Sequence, residues 1–487
     1  MLLNLQAIVL AASTSSSFNA HKTKLAEKIC GQEMVLYSTK LLESLNIPTT
    51  LVVGYQKELI QDIVTQHHHD NVHFVVQEEQ HGTAHAILCA RNSFQADNIL
   101  VMHGDMPLVT KEIIEKLYAK HIETQATISF IVAHNDDPSG FSYGRVVKQG
   151  DNKIQIVEAK EFDGDLHDHC YVNAGIYIVT NDFLSNNINE IEKNDTSKQF
   201  YFTDIIKIAS DLNQPITTVK ASFDRIRGIN NFQELWAAEQ VKRAELIKHW
   251  MDRGVRFPVA QNVHIDLDVT IGAGSYIGCG AHILKGSVLG QNCFIHEFNA
   301  IEGSTLEDNV TLFSHCIVKD SHVGAHAKIG PFAHVSEHTT IKAHAVIGNF
   351  VEVKRSTIGQ HSKAKHLAYL GDAIIGEHVN IGAGTITCNY DGSEKHKTII
   401  KDGSFIGSNN TLVAPVTIEE GSYTAAGSTI TVDVPQGALA IARARQINKE
   451  GYAKKMKTKN KISKADQSVS FIGAVKTNHD SKLSEGQ

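Results

Sequence analysis

The sequence predicts two joined units: a mostly parallel α/β domain and, after it, a left-handed parallel β-helix. Two patterns carry this: a six-residue repeat from Val263 to about Val434, and apolar strands alternating with helical segments ahead of it. In the repeat, Ile265, Ile271, Ile277 and Ile283 are evenly spaced, as are Val323, Ile329, Val335, Ile341 and Ile347. A further run reads Ile406, Leu412, Ile418, Thr424 and Ile430. A period of six matches neither a helix nor a simple strand. It matches a solenoid in which each face is one short strand and one tight turn. The apolar residue points inward and stacks on its neighbour one coil away. Glycine follows it at Gly272, Gly278, Gly330, Gly348, Gly376, Gly382 and Gly407. There it is expected to supply backbone angles that a Cβ would forbid. Ordinary sheet proteins also carry short apolar periods, but not several runs with glycine in phase.

Length and composition bound the rest. A chain of 487 residues is too long for one small core, so two or three domains are expected. It is 42% hydrophobic and 20% charged, with a formal net charge of −7. No basic field or arginine-rich stripe invites nucleic acid. The seven cysteines, Cys30, Cys89, Cys170, Cys279, Cys293, Cys316 and Cys388, form no Cys-x-x-Cys pair. Such a scattered, odd set argues for a reducing compartment. Leu5 to Ser13 is apolar but short and lacks a basic stretch before it, so it reads as a buried strand and not as a signal peptide. No apolar run has the length of a membrane span. A soluble cytoplasmic protein is the expectation.

Taken in order, Ala7 to Ala12, Thr50 to Gly54, His73 to Val76 and Asn98 to Met102 are continuous apolar runs, as strands covered on both faces should be. Helix-like segments at Met34 to Leu45, Glu58 to Gln66 and Gly82 to Ala90 separate them. Alternation of this kind implies a parallel sheet whose ligands sit at the carboxyl ends of strands. That points to Ser13–Ser17, Gln77 and Gly104-Asp105. Asp105 ends a strand, where a carboxylate could hold Mg²⁺ against a nucleotide phosphate; a turn or cap Asp before Pro107 is the commoner use. The loop Gln77 to Ala84 enters a helix and could offer N–H groups to a base or phosphate; otherwise it is a plain capped helix. Gly144-Arg145-Val146, Glu158-Ala159-Lys160, Val172 to Ile176, Phe200 to Asp204 and Gly228 to Asn231 continue and close the domain. Phe232 to Gly254 reads as a linking helix. The expected division is 1–228 for the α/β domain, 229–253 for the linker, 254–445 for the β-helix and 446–487 for a tail that is disordered from about Lys457.

The order of these parts resembles one bacterial enzyme family, the bifunctional N-acetylglucosamine-1-phosphate uridyltransferases and glucosamine-1-phosphate N-acetyltransferases. The resemblance spans about residues 5–455 and is most specific in Gly348 to Lys354, Lys365 to Asp372 and Asn380 to Gly392. It implies a nucleotide-diphospho-sugar transferase domain of Rossmann-like kind, and a β-helix that forms a homotrimer with acetyl-CoA between neighbouring coils. His366 is then the general base on the amine of glucosamine-1-phosphate, a role suited to imidazole because the amine must be neutral to attack a thioester. Lys354, Tyr369, Asn380 and Lys395 match sugar-phosphate positions. Ala383, Asn389, Tyr390, Ser408, Ala426 and Arg443 match acetyl-CoA positions. In the first domain Lys24, Gln77, Gly82, Thr83, Gly104, Asp105, Gly144, Glu158, Asn173 and Asn230 match positions for UTP and UDP-N-acetylglucosamine, with Asp105 and Asn230 at Mg²⁺. The implied second reaction transfers UMP from UTP to N-acetylglucosamine-1-phosphate and releases pyrophosphate. A solenoid surface carries many polar side chains, and among 27 histidines most are solvated or structural, as His67-His68-His69 are expected to be.

The chain departs from the family pattern twice. After Gly330-Pro331-Phe332-Ala333 the family carries an Arg-Pro pair, and here Ser336-Glu337 stand. Losing that charge-assisted contact should cost roughly 1.5–3 kcal/mol of sugar-phosphate binding, with His334 as a possible partial substitute. In the phosphate loop, Ser13, Ser15 and Ser17 replace two glycines and an arginine. Glycine admits the triphosphate to the backbone, and the arginine is worth about 10³-fold or more in phosphoryl transfer. Lys22 and Lys28 lie nearby in sequence. Two readings follow: uridyl transfer with altered phosphate contacts, or an acetyltransferase whose first domain binds nucleotide or serves structure. A nucleotide-sugar-sensing scaffold is a third, against which the His366 motif speaks.

Overall fold

The computed structural model describes residues 4–13, 18, 22–68, 72–134, 143–149, 153–159, 161, 162 and 171–461. The first domain is built on strands β1 (Leu5–Ala11), β4 (Thr49–Val53), β5 (Val72–Val76), β6 (Asn98–His103), β7 (Ile128–His134), β8 (Arg145–Gln149), β9 (Lys153–Val157), β10 (Tyr171–Thr180) and β11 (Ile216–Ser222), with a small hairpin β2 (Lys28–Ile29) and β3 (Gln32–Glu33). Sheet order is β11-β7-β10-β6-β1-β4-β5. β1 lies parallel to β4 on one side and to β6 on the other, and β10 runs antiparallel to β6. Strands β4 and β5 are laid to one side of β1, and β6 to the other, so the strand order reverses between β1 and β6, which opens a crevice at their carboxyl ends. Residues 7–9 and 51–53 are wholly buried, as continuous apolar strands between helices must be.

The helix Phe232–Met251 joins the units, its first turn closed by Asn231 Oδ1 accepting from the Glu234 N–H at 2.8 Å. Its Ala238 packs with Phe18, Ile29, Met34, Leu108 and Ile229 of the first domain. Ile247 and Trp250 belong instead to the core of the second. One helix is thus anchored in two cores. The Leu267 N–H also donates to the Cys30 carbonyl at 3.0 Å, tying the hairpin to the first coil.

From His264 to Ala440 the chain is a parallel β-helix with three ladders of short strands. On one, Ile265, Ile283, Ile301, Val318, Val335, Val353 and Leu370 succeed each other in register. On another, Ile271, Leu289, Leu306, Val323, Ile341, Ile358 and Ile375 do the same. These side chains are all nearly or fully buried, each worth about 1.5–3 kcal/mol. The six-residue repeat is one face of the coil. An outgrowth, residues 389–397, interrupts it between strands Ile386–Cys388 and Thr398–Ile400.

The reason for the glycines differs from the expectation. Of those in phase with the repeat, only Gly330 has a left-handed φ, 99°. A Cβ on Gly272, Gly348 or Gly382 would instead run into the backbone of the next coil, at Gly290, Lys365 and Gly407 respectively. Close approach excludes the side chain there, not the backbone angle. The left-handed corners are held largely by other residues: His326, His344, His361 and His378 along one edge, and Phe298, His315, Phe332, Phe350 and Leu367 along a second. Such conformations cost about 1–2 kcal/mol each. Stacking offsets this: the four imidazoles follow one another at 4.8, 4.8 and 4.9 Å between centroids. Beyond the solenoid a helix spans 452–461, past Lys457 where disorder was expected, because Lys and Met are good helix formers. The rest of the tail lies outside the described residues, as do Cys170 and His69.

Burial holds several histidines neutral. His121, buried and hydrogen-bonded to Ser129 and Asn98, is pushed down to about 4. A depressed folded-state value means the unfolded chain takes the proton first, so stability is full above about pH 6.5 and is lost as pH falls towards 4. His121→Asn should therefore lose about 2 kcal/mol less than the parent between pH 7 and pH 5, read from urea midpoints at both values.

Candidate functional sites

In the crevice of the first domain the site is assembled around one buried cation. Lys24 opens a short 3-10 turn whose start is capped by Thr23. Its ammonium pairs with the Asp105 carboxylate and donates to Asn230 Oδ1 at 2.8 Å. Asp105 follows β6, held by Gly104 N–H to the Leu10 carbonyl (2.9 Å) and by its own carbonyl accepting from Ile229 N–H (3.0 Å). Burial pushes the Asp105 carboxyl up, but Lys24 and then His103 pull it further down, and it stays ionised. Two oxygens thus converge on a positive charge. The same carboxylate and amide oxygen are the hard donors a Mg²⁺ ion prefers, with phosphates and water completing its shell. The set fits a divalent cation if Lys24 swings aside.

The other sequence-derived residues line the same crevice. A cavity of about 340 Å³ has Ser13, Lys24, Gln77, Gly82, Thr83 and Asp105 in its wall. An adjoining one of about 260 Å³ is walled by Thr83, Asp105, Gly144, Glu158, Asn173 and Asn230. Gly82 sits at a φ of 111° against the Phe200 backbone, where no Cβ fits. Gln77 donates to the Gly82 carbonyl at 3.2 Å. Asn173 donates to the Tyr177 hydroxyl at 2.6 Å. Burial raises the Glu158 carboxyl, and Thr203 donates to it at 2.7 Å. Thr203, Tyr177 and Tyr143 are wall residues that the sequence did not single out; no spacing marks them. Lys22 and Lys28 are engaged by Glu27 and Glu33. Ser15 and Ser17 of the phosphate loop lie outside the described residues.

On the β-helix the remaining residues, Asn380 apart, fall into two columns. His366 lies on the strand Lys363–Gly371 just before the left-handed Leu367. Its Nδ1 is 3.0 Å from Oδ1 of Asn349, its register partner one coil below. With that oxygen accepting from Nδ1–H, Nε2 is left as the basic atom. Asn349 lies within the Gly348–Lys354 motif, and ladder register reveals its contact. Above His366 the same corner recurs. Gly384 N–H donates to the Leu367 carbonyl, Asn409 N–H to Ala383, and Gly427 N–H to Ser408, at 2.7, 2.7 and 2.8 Å. His366, Ala383, Ser408, Ala426 and Arg443 therefore follow one edge upward. Arg443 stands past the last strand and is exposed.

The second column is the corner after strands His334–Ser336, Val346–Lys354 and Lys363–Gly371. Ser336, Lys354 and Gly371 are register partners. Tyr369 lies on the same ladder, beside Glu352. The outgrowth leaves from this corner with Asn389, whose amide donates to Asp372, and carries the exposed Tyr390 and Lys395. Its turn is braced by Asp391, held well below the usual carboxylate range by backbone N–H groups and His396. His334 stands across from Glu352, at the far end of its strand. Asn380 is not brought to this corner; it sits on another ladder, between Lys363 and Phe405.

Comparison with known proteins agrees with this division. The MobA-like NTP transferase domain matches residues 7–227, and the bacterial transferase hexapeptide (six repeats) matches residues 320–355. Proteins named "Bifunctional protein GlmU" are similar along nearly their whole length. The one from Alkaliphilus metalliredigens is 37% identical over 92% of this chain and 98% of its own. That from Thermosipho melanesiensis is 38% identical over 92% and 97%, and that from Thermodesulfovibrio yellowstonii 39% over 92% and 98%.

The Lys24–Asp105 pair is dry enough for its loss to register. Lys24→Met leaves a buried carboxylate alone and should destabilise the protein by about 3–5 kcal/mol. Lys24→Met with Asp105→Asn should recover more than half of that, measured by urea unfolding.

Proposed function

The chain belongs to the GlmU family of bifunctional proteins, and from that premise we infer what each site does. The protein is a bifunctional transferase of UDP-N-acetylglucosamine synthesis. The β-helix acetylates glucosamine-1-phosphate from acetyl-CoA, and the α/β domain transfers UMP from UTP to N-acetylglucosamine-1-phosphate, releasing pyrophosphate. The observation that carries the acetyl-transfer reading is His366, oriented by Asn349 at the foot of the edge formed by Ala383, Ser408, Ala426 and Arg443. His366 Nε2 takes a proton from the amine as nitrogen attacks the thioester carbonyl. A nitrogen–carbon bond forms, the carbon–sulfur bond breaks, and the proton passes to the leaving thiolate. Lys354 and Lys395 would hold the sugar phosphate, and Arg443 a phosphate of the coenzyme.

In the α/β domain Lys24 neutralises phosphate charge, while Glu158 and Asn173 orient the sugar in the second cavity. Asp105 and Asn230 would hold Mg²⁺, which supplies charge neutralisation of the triphosphate when bound.

A homotrimer completes the acetyltransferase site. Two features support this. Asn380 stands on a different face from Lys354, so one chain does not gather all the acceptor residues. Phe298, Phe332, Phe350 and Leu367 form an apolar ridge beside His366, each about half exposed, 49–59%, as an unpaired contact surface is. Among the described residues no helix is long and apolar enough to cross a membrane, and the described cysteines are free thiols. The cytoplasm is the compartment that suits free thiols and these substrates.

Separate assays of the two half-reactions test the assignment. His366→Ala should lower kcat for acetyl transfer about 10²- to 10⁴-fold with uridyl transfer intact, and Asn349→Ala should lower it by a smaller factor, again with uridyl transfer intact. Asp105→Asn should abolish Mg²⁺-dependent pyrophosphate release and leave acetyl transfer. Equal loss of both activities in either variant would contradict the division of labour.

A further inference from the structure

Glu337 stands at the corner that carries Lys354. Its carboxylate is 2.6 Å from the Lys354 ammonium and also pairs with Arg355. Arg355 is in turn committed to Asp372, Nε at 2.8 Å and Nη2 at 2.9 Å. Glu337, Arg355 and Asp372 occupy the same left-handed corner position on successive coils, with φ of 53°, 48° and 49°. The alternation of sign up this edge fixes the arginine, so Arg355 is not free to meet an incoming anion. Ser336, just before Glu337, is buried and offers no charge. Of the two lysines matched to the sugar phosphate here, Lys354 and Lys395, Lys354 already holds an anion.

Given the reading of this corner as the sugar-phosphate site, we propose that Glu337 sets that site's affinity for its phosphate. It occupies Lys354 in the free protein and weakens the site's hold on a phosphorylated amino sugar. A phosphate dianion must take the place of the carboxylate on Lys354 or bind beside it against like-charge repulsion. Glu337 is 47% exposed and Lys354 30%, so the carboxylate can swing into solvent with no backbone change. The exchange is therefore feasible but has a cost. A half-exposed pair sets that cost at about two- to fivefold in affinity.

The test uses full-length protein with Glu337→Gln, Glu337→Ala and, as a control for overall charge, Glu419→Gln, whose partner Lys401 lies on a different ladder. The KM for glucosamine-1-phosphate should fall about two- to fivefold in both Glu337 variants, with kcat and the KM for acetyl-CoA changing less. Calorimetry with inorganic phosphate should show affinity rising by the same factor. An unchanged or higher KM in both variants, or the same fall in Glu419→Gln, overturns the proposal. If neither parent nor variants transfer acetyl, the acetyltransferase assignment fails, and phosphate calorimetry alone decides on Glu337: tighter binding in Glu337→Gln upholds its role and equal binding removes it.

Discussion

The spacing of one coil above the next governs this molecule. Parallel-strand hydrogen bonds fix it at about 4.8 Å, and every other feature of the β-helix must fit that distance. Interior side chains stack at it. Imidazoles and phenyl rings on the corners stack at it too, which is why they can hold left-handed positions usually given to glycine. Where backbone meets backbone, as at Gly348 and Lys365, the spacing leaves no room for a side chain at all. The same constraint builds the sites. Residues seventeen or eighteen apart, or twenty-five across the outgrowth, return to one edge, so groups far apart in sequence become neighbours in a column.

The α/β domain solves a different problem, that of holding charge in a dry crevice. Asp105 is at the end of a buried strand because β6 must be apolar along its length and polar only where the sheet stops. A lone carboxylate there would protonate. Lys24 opposes this, holding the Asp105 carboxyl below its ordinary value. Charge pairing recurs at the Glu337–Lys354 corner, where solvent weakens it. The two domains thus use one device at two strengths.

Much of this could be read from the sequence, and the failures have physical causes. The repeat was legible because inward residues recur at fixed spacing, and Ile265 through Ile430 are indeed interior. The strands Leu5–Ala11, Thr49–Val53 and Asn98–His103 were legible because a strand covered on both faces is apolar throughout; Val72–Val76 differs, since it is the edge strand, only half-buried and with His73 exposed. The role of the phase glycines was misread: a period reveals that a residue recurs, not whether its angle or its neighbour demands it. The Ser336-Glu337 change read as the loss of one cation. Only ladder register shows that Glu337 engages two others, because its partners are seventeen and eighteen residues away. Asn349 was hidden for the same reason. Thr203 and Tyr177 reach the crevice through long-range folding that leaves no local mark.

The edge proposed for the coenzyme climbs from His366 to Arg443, and so ends on the last coils of the described solenoid. A coil there has a neighbour on one side only, and in a stack held by nearest-neighbour contacts such coils open first. A ligand spanning that edge would act as a clasp on the fraying end. Occupancy by the coenzyme and order in the last coils are then two faces of one equilibrium, and either can be followed through the other.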